Sequence, residues 1–510
     1  MGITSGTPAL NSQSRVFIIE GGACQDHEPE YLSCAAAGAF DQSLGDIERV
    51  ECPDPNRYGE YIEVASIRGA DDRATSDIVS RYPIDRESQL GRIAKKRCTL
   101  DVQVHFGVCQ DPKEFNDAEK VLVWENVDIT SFGLNEVGSM SSDANGTIEE
   151  TAAISMREWY EIIPISFTEK GQTAVTNPVI DVVICDSPSC GDCTSDSDGC
   201  KTIFAVDDGA TGSPGTAPDV LYSTTKGQTW TADDVSSLAS GEAADGLACL
   251  DEYLVVVSNA DGGIHYKTKS DVTTGVAGGW TRTAVGIVAT GEPNDIWSVG
   301  NKAFAVGDLG YIYSTTDPTS GVTLLDAGEA TSENLHAVHA INDNFAVAVG
   351  ENGAVVFTTN GTTFGAASGA VGDETSDLES VWVKNEKEWW VGGSVDGDGN
   401  YLFSTIDGGV TFTAVGLPGT GWTEVHDIAF ASKAVGRIAA DKSGTPKGWI
   451  VETWDAGNSW TVLPRGTGAP TFPANDSMLA LAVCPHDVNF VVGVGTGDNA
   501  TDGIILIGQD

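Results

Sequence analysis

Thr453-Trp454-Asp455-Ala456-Gly457-Asn458-Ser459-Trp460 and Thr405-Ile406-Asp407-Gly408-Gly409-Val410-Thr411-Phe412 share one reading, [ST]-x-D-x-G-x-[TS]-[WF]. Ser223 to Trp230 keeps the frame, with Ser223, Gly227 and Trp230 in register and Thr in the Asp place. Residues 358–364 are one residue shorter, and residues 314–324 and 267–280 carry insertions. Asp and Gly suit a tight turn between two strands, and the closing aromatic can pack under it. The closing position falls at Trp230, Trp280, Leu324, Phe364, Phe412 and Trp460, a spacing of about 40–50 residues that marks a repeat architecture. Ahead of most turns run two apolar strands, as in residues 295–299 with 303–307 and residues 378–383 with 388–392. After the last turn, residues 479–483, 489–494 and 503–508 supply three more strands without a fourth. The pattern predicts a seven-bladed β-propeller over residues 201–510, its last blade completed by a strand from near the start of the propeller.

These phrases resemble the Asp-box, or BNR, repeat of sialidase-type β-propellers, and the resemblance implies structural turns at the blade edge. Val306-Gly307-Asp308-Leu309-Gly310-Tyr311-Ile312-Tyr313-Ser314-Thr315 resembles the blade style of photosystem II assembly-factor propellers, which implies binding rather than chemistry. A sialidase needs an arginine cluster for the substrate carboxylate, a Tyr activated by Glu and an acid for proton transfer. The propeller region holds Arg282, Arg437 and Arg465, none in the Arg-Ile-Pro context of sialidases. The expectation is a protein that is not an enzyme, with no catalytic residue, cofactor or metal; an Asp-box glycosidase is the minor alternative.

At 510 residues the chain calls for more than one domain. It has no apolar run of membrane-spanning length, so membrane insertion is not expected, and Met1 to Thr7 lacks the basic region and apolar core of a secretory signal. Against 28 Lys and Arg stand 74 Asp and Glu, and both halves share the excess. Such a surface repels phosphate backbones and argues against sequence-specific nucleic-acid binding. It fits either a solubility or salt-adapted surface or one that nucleic acid must pass without sticking.

Residues 1–172 read as a separate antiparallel β-sandwich or barrel, with apolar or alternating segments at 15–20, 61–68, 99–107, 120–124, 129–134 and 162–167 and one short helix at 87–96. Residues 14–24 (SRVFIIEGGAC), 95–112 (KKRCTLDVQVHFGVCQDP), 119–125 (EKVLVWE) and 158–162 (EWYEI) resemble tail-tube subunits of tailed phages. That resemblance implies a virion protein assembled in the host cytoplasm, a subunit that polymerises into rings and stacks them into a DNA conduit. Its partners would be itself, other tail proteins, DNA passing without specific binding, and a host-surface glycan or protein met by an outward propeller. The alternative is a non-catalytic adhesion or binding propeller at a cell surface or in the periplasm.

Residues 173–200 read as a Cys-, Asp- and Ser-rich linker. Its Cys185, Cys190, Cys193 and Cys200 fit local disulfides that stiffen the linker, or a zinc site whose outer spacings match no standard ribbon. His336 and His339, three apart in a strand, face opposite sides. Asp396-Gly397-Asp398-Gly399-Asn400 reads as a turn rather than a calcium loop. Trp389-Trp390 reads as one ring inward and one outward, the outward ring packed in the core or between blades rather than stacked on a sugar.

Overall fold

The computed structural model describes residues 15–20, 30–32, 74–83, 100–106, 120–136, 147–156, 158–170, 177–185, 200–209, 217–239, 242–260, 262–372, 376–444, 447–463, 477–484, 487–497 and 503–509. The helix expected at 87–96, the strand at 61–68, and Cys190, Cys193 and Arg465 lie outside them. Among the described residues no helix is long and apolar enough to cross a membrane.

The chain divides into two compact units, Met1–Pro164 with Trp454–Ser459, and Ile165–Thr453 with Trp460–Asp510. The first contains a seven-stranded sheet in which every pairing is antiparallel. Its spine is one 17-residue strand, Lys120–Glu136, which merges the two segments expected at 120–124 and 129–134. The first half of that strand pairs with Leu100–Phe106 on one side and Glu158–Ile162 on the other, and the second half pairs with Thr147–Met156. Val102, Val121, Val123 and Val127 are wholly buried, and so are the polar Gln103 and His105 at the alternate positions of Leu100–Phe106.

The second unit contains seven four-stranded antiparallel sheets, the blades of a β-propeller. Blade 1 is Val179–Ile184, Ile203–Asp207, Asp219–Ser223 and Thr231–Asp234. Blades 2 to 6 begin at Gly246, Pro293, Leu335, Leu378 and Trp422. Blade 7 takes three strands from the end of the chain, Met478–Cys484, Asp487–Thr496 and Gly503–Gln509, and its fourth from Ser166–Lys170. The closing strand thus comes from before blade 1, as the missing fourth strand required. The expected boundaries shift accordingly. The propeller unit starts at Ile165, not 201, and residues 179–184, read as linker, are the first strand of blade 1. The expected segment 162–167 is likewise split, with Pro164 standing between strands of different units.

The cores lie at the seams. Each hydrophobic cluster in this unit joins two successive blades, and the seventh joins Val179, Ile203 and Leu221 of blade 1 to Phe490, Val492 and Ile505 of blade 7. Sheets covered on both faces explain why second strands such as Phe345–Gly350 are buried throughout rather than alternately. They also give both rings of Trp389-Trp390 interblade packing, the arrangement favoured over a sugar-stacking outward ring. Trp389 packs into the seam with blade 4 and Trp390 into the seam with blade 6, so neither ring faces solvent.

The repeat turns follow the residues that predicted them. Thr405 Oγ1 accepts from Asp407 N (3.3 Å) and Gly409 N (3.1 Å), and Asp407 Oδ1 accepts from Val410 N (3.0 Å) and Thr411 N (2.9 Å). The Thr411 hydroxyl, together with these amides, holds Asp407 down at about 2. Asp455 Oδ1 likewise accepts from Ser459 N (2.8 Å), and Gly457 between them takes a positive φ of 95°. In blade 1 the turn works without the carboxylate: Ser223 Oγ accepts from Gly227 N (3.0 Å) and Thr225 Oγ1 from Thr229 N (2.9 Å). Gly227 has a φ of +75°, and a Cβ there would run into Ile507 of blade 7.

The closing aromatics do more than sit under their own turns. Trp230, Trp280, Phe364, Phe412 and Trp460 each pack into the seam with the preceding blade, and Trp460 meets Trp390 edge-on at 5.7 Å. Leu324 is the exception: it is exposed, and Val322 takes the place in the seam between blades 2 and 3 because the insertion shifts the frame.

The described disulfides are not local to the expected linker. Cys185 pairs with Cys249 of blade 2, and Cys200 with Cys484 of blade 7, with Cα–Cα separations of 6.0 and 5.9 Å. Both lie in seams, so blade 1 is tied covalently to each neighbour. This excludes a four-cysteine zinc site built from all four candidates, since Cys185 and Cys200 have other partners. The Cys200–Cys484 bond spans 284 residues, and its removal by Cys484→Ser should cost about 2–5 kcal/mol. Urea unfolding of variant and wild type should differ by that amount without reductant and converge with it.

Candidate functional site

In each blade the start of strand 1, the connection between strands 2 and 3, and the end of strand 4 fall at one end; the repeat turns fall at the other. This follows from antiparallel order alone. First strands contact one another around the ring and so line its centre. The end opposite the repeat turns carries a belt of side chains set by β-bulges at the starts of the first strands. The bulges release Asn294, His336, Glu379, Thr423 and His426 from the ladder pairing.

The belt is hydrogen-bonded from blade to blade. Asn259 Nδ2 donates to Asn294 Oδ1 (2.7 Å), and Asn294 Nδ2 to Asp308 Oδ1 (3.0 Å) and Leu335 O (3.0 Å). Asn334 Nδ2 donates to Glu351 Oε1 (3.1 Å), and Asn352 Nδ2 to Glu333 Oε2 (2.7 Å). His336 Nδ1 lies 3.2 Å from Glu379 Oε2, and that facing carboxylate raises the imidazole above its usual value against the effect of burial. At blade 6, His426 Nε2 lies 3.1 Å from Asp441 Oδ2 and 3.7 Å from Glu424 Oε2. Lys447 Nζ is 2.9 Å from the same Asp441 oxygen and donates to Ser477 Oγ (2.6 Å). The belt is therefore mostly carboxylate and amide, with exposed Leu309 and Val395 as apolar points in the connections between strands 2 and 3.

Just inside the belt, three half-buried aspartates clasp neighbouring blades. Asp181 Oδ2 accepts from Leu247 N (2.7 Å), Asp295 Oδ2 from Val338 N (2.8 Å) and Asp427 Oδ2 from Leu481 N (2.7 Å), while each second oxygen takes the amide of the following residue. Blades 1, 3 and 6 give the carboxylate; blades 2, 4 and 7 receive it next to a small residue, Gly246, Ala337 or Ala480. Blade 5, odd in a ring of seven, has Ser380, whose hydroxyl donates to Asp427 Oδ1 (3.3 Å). Burial raises these acids, Asp181 to about 8 and the other two to about 6, and Asp181 is raised further by the charges of Asp295 and Asp427.

The sequence-predicted groups distribute unevenly over this geometry. The repeat-turn residues Ser223, Gly227, Thr405, Asp407 and Gly409 lie at the end away from the belt. Arg437 is wholly buried; its Nη2 donates to Glu452 Oε1 (2.8 Å) and Val488 O (2.7 Å), so it is part of the packing of blades 6 and 7. Asp396 uses its carboxylate within its own turn, accepting from Asp398 N (3.0 Å) and Asn400 N (2.6 Å). His339 lies between the rings of Trp297 and Trp382, where burial lowers it to about 3, and accepts from Val383 N of blade 5; the bulge at His336 breaks the alternation on which the opposite-faces reading of the two histidines rested. Sequence reasoning missed the Glu424, His426 and Asp441 cluster and the aspartate clasps. The available signal was the recurring Asp-[IV] at 181, 295 and 427.

No family model matches the chain, and no curated protein matches it. Among solved structures, "YCF48 bound to D1 peptide" aligns at 15% identity over 68% of this chain and 98% of that one, with a TM-score of 0.47. YCF48 from Cyanidioschyzon merolae aligns at 15% identity over 68% and 98%, with a TM-score of 0.46. The WD40 β-propeller domain of Doa1 aligns at 12% identity over 68% and 97%, with a TM-score of 0.45.

The clasps set a pH dependence. A carboxyl raised by folding stabilises the native state fully below its unfolded value, near 3.8, and that contribution is lost as pH rises through the folded value. Thermal unfolding should therefore move to lower temperature between about pH 4 and about pH 8. Asp181→Asn should flatten the upper part of that slope in a calorimetric pH series, and lower the unfolding temperature at acid pH because the amide leaves one buried N–H without an acceptor.

Proposed function

We propose that the propeller is a non-catalytic binding module that takes a cationic polypeptide segment on its belt, and that the N-terminal unit is the base that displays it. The observation that carries this reading is the run of carboxylates at one end of the ring. Asp308, Glu333, Glu351, Asp377 and Glu379 stand on successive connections of blades 3 to 5, at the starts of strands and in the bulged positions where a ligand meets side chains rather than ladder. Fixed carboxylates ringed by amides complement Lys and Arg, and the overall charge of −46 steers such a partner in. The belt's apolar points, Leu309 and Val395, give such a segment something to bury besides charge.

The finer reading makes the base a tail-tube subunit: copies join into rings and stacked rings of a virion tail, DNA passes along the acidic conduit, and the propellers face outward to a host surface. Among the described strands, Glu30–Leu32 and Ala74–Pro83 each pair on one side only, which supports assembly by edge pairing. The two disulfides support a final location outside a reducing cytosol, in keeping with a released virion or a cell-surface adhesin.

Fluorescence anisotropy with a Lys/Arg-rich peptide tests the binding site. Replacing Glu333, Glu351 and Glu379 by Gln should weaken binding about tenfold or more, with a shallower salt dependence. The same number of neutralisations at the opposite end, at Asp251, Glu252 and Glu386, should leave binding nearly unchanged. Equal losses from both sets would show only general charge attraction. Electron microscopy of the purified chain across concentrations tests the tube: rings with regular knobs are expected, and two-lobed monomers throughout would favour the adhesin.

A further inference from the structure

We propose that Glu424, His426 and Asp441 form a binding site for a divalent transition-metal ion of the zinc class at blade 6. Their ligating atoms all lie within 4.8 Å of one another. Glu424 and Asp441 face each other across the ladder between the first two strands of the blade, an arrangement of like charges that costs stability unless a cation joins them. The bulge at His426 brings its ring between them, with Nε2 at 3.1 Å from Asp441 Oδ2 and 3.7 Å from Glu424 Oε2. A tetrahedral ion with bonds of about 2.0–2.1 Å sets its donors about 3.3 Å apart, between those two separations.

The cluster also leaves two buried polar atoms unmatched. The Asp441 side chain is fully buried; its Oδ2 accepts from Ser477 Oγ (2.9 Å) and meets Lys447, yet its Oδ1 accepts no hydrogen bond, and the buried His426 Nε2 makes none of acceptable geometry despite its short approach. One imidazole with two carboxylates suits zinc-class ions over calcium or magnesium, which take oxygen ligands alone. Three protein donors leave a position for solvent or a ligand, and the partly exposed Glu424 gives the route in. Lys447 supplies the cation of the metal-free state: it holds Asp441 Oδ2 at 2.9 Å, and its half-exposed side chain can swing into solvent when an ion arrives.

Blade 4 gives the internal contrast. His336 also lies between two carboxylates, but Glu379 addresses Nδ1 and Glu351 addresses Nε2, on opposite sides of the ring. A single ion cannot bridge that arrangement, so the two histidines differ in what they can hold.

The test is calorimetric titration of the untagged, chelator-treated full chain with Zn2+, free thiols alkylated, with Co2+ absorbance as a check on coordination. One saturable equivalent is expected. His426→Gln should weaken it at least tenfold, in line with loss of a ligand. His336→Gln should leave it unchanged, and Lys447→Met should tighten it by removing the competing ammonium. Asp441→Asn should abolish it; if that buried variant fails to fold, the His426 and Lys447 variants decide. No binding by wild type, equal affinity in wild type and His426→Gln, or weaker binding by Lys447→Met would overturn the proposal.

Discussion

The seam between blades 7 and 1 is the constraint on which the propeller depends. Apart from Ile165 and Phe167, which join the seam of blades 6 and 7, every other seam joins segments close in the chain, whereas this one must bring residues 478–509 back to residues 166–223, and loop closure of that length opposes it. Three devices act together there. Ser166–Lys170 completes blade 7 by pairing with Gly503–Gln509, Phe490 and Ile505 pack against Ile203 and Leu221, and Cys200 bonds to Cys484. The disulfide stabilises the closed ring chiefly by restricting the open chain, while the strand and the cluster supply direct attraction.

Closure fixes what the rest of the ring can display. Once the first strands are held around the centre, each blade is covered on both faces and its side chains are committed to seams. Polar chemistry is left to the two ends. At one end the repeat turns satisfy their own Asp, Ser and Thr groups locally, as at Asp407, and have little to offer a ligand. At the other, bulges free Asn294, His336, Glu379 and His426 from the ladder, so the same backbone irregularity that lets strands begin near the axis also presents the belt. The clasps at Asp181, Asp295 and Asp427 lie just beneath, coupling blade spacing to the protonation of half-buried acids.

Much of this architecture was legible in the sequence, because a turn that needs Asp, Gly and an aromatic at fixed offsets leaves a local signature. The blade count followed from six such turns and three strands that lacked a fourth. The closing strand at Ser166–Lys170 and the blade 1 strand at Val179–Ile184 were misplaced because each precedes the first turn and carries no repeat phrase of its own. The disulfides were misread for a related reason: Cys185 and Cys200 are near in sequence but face different seams, and only the ring brings Cys249 and Cys484 to them. The belt and the blade 6 cluster were hidden because bulges break the alternation by which a strand side chain is assigned to a face. Glu424 and Asp441 become neighbours only through a ladder whose register Thr423 and His426 interrupt.

The central claim, a ring closed covalently at both sides of blade 1, is tested most directly by peptide mapping of the unreduced protein by mass spectrometry. The account predicts crosslinked peptides joining Cys185 to Cys249 and Cys200 to Cys484. Crosslinks confined to the segment 185–200, with Cys249 and Cys484 recovered as free thiols, would contradict it.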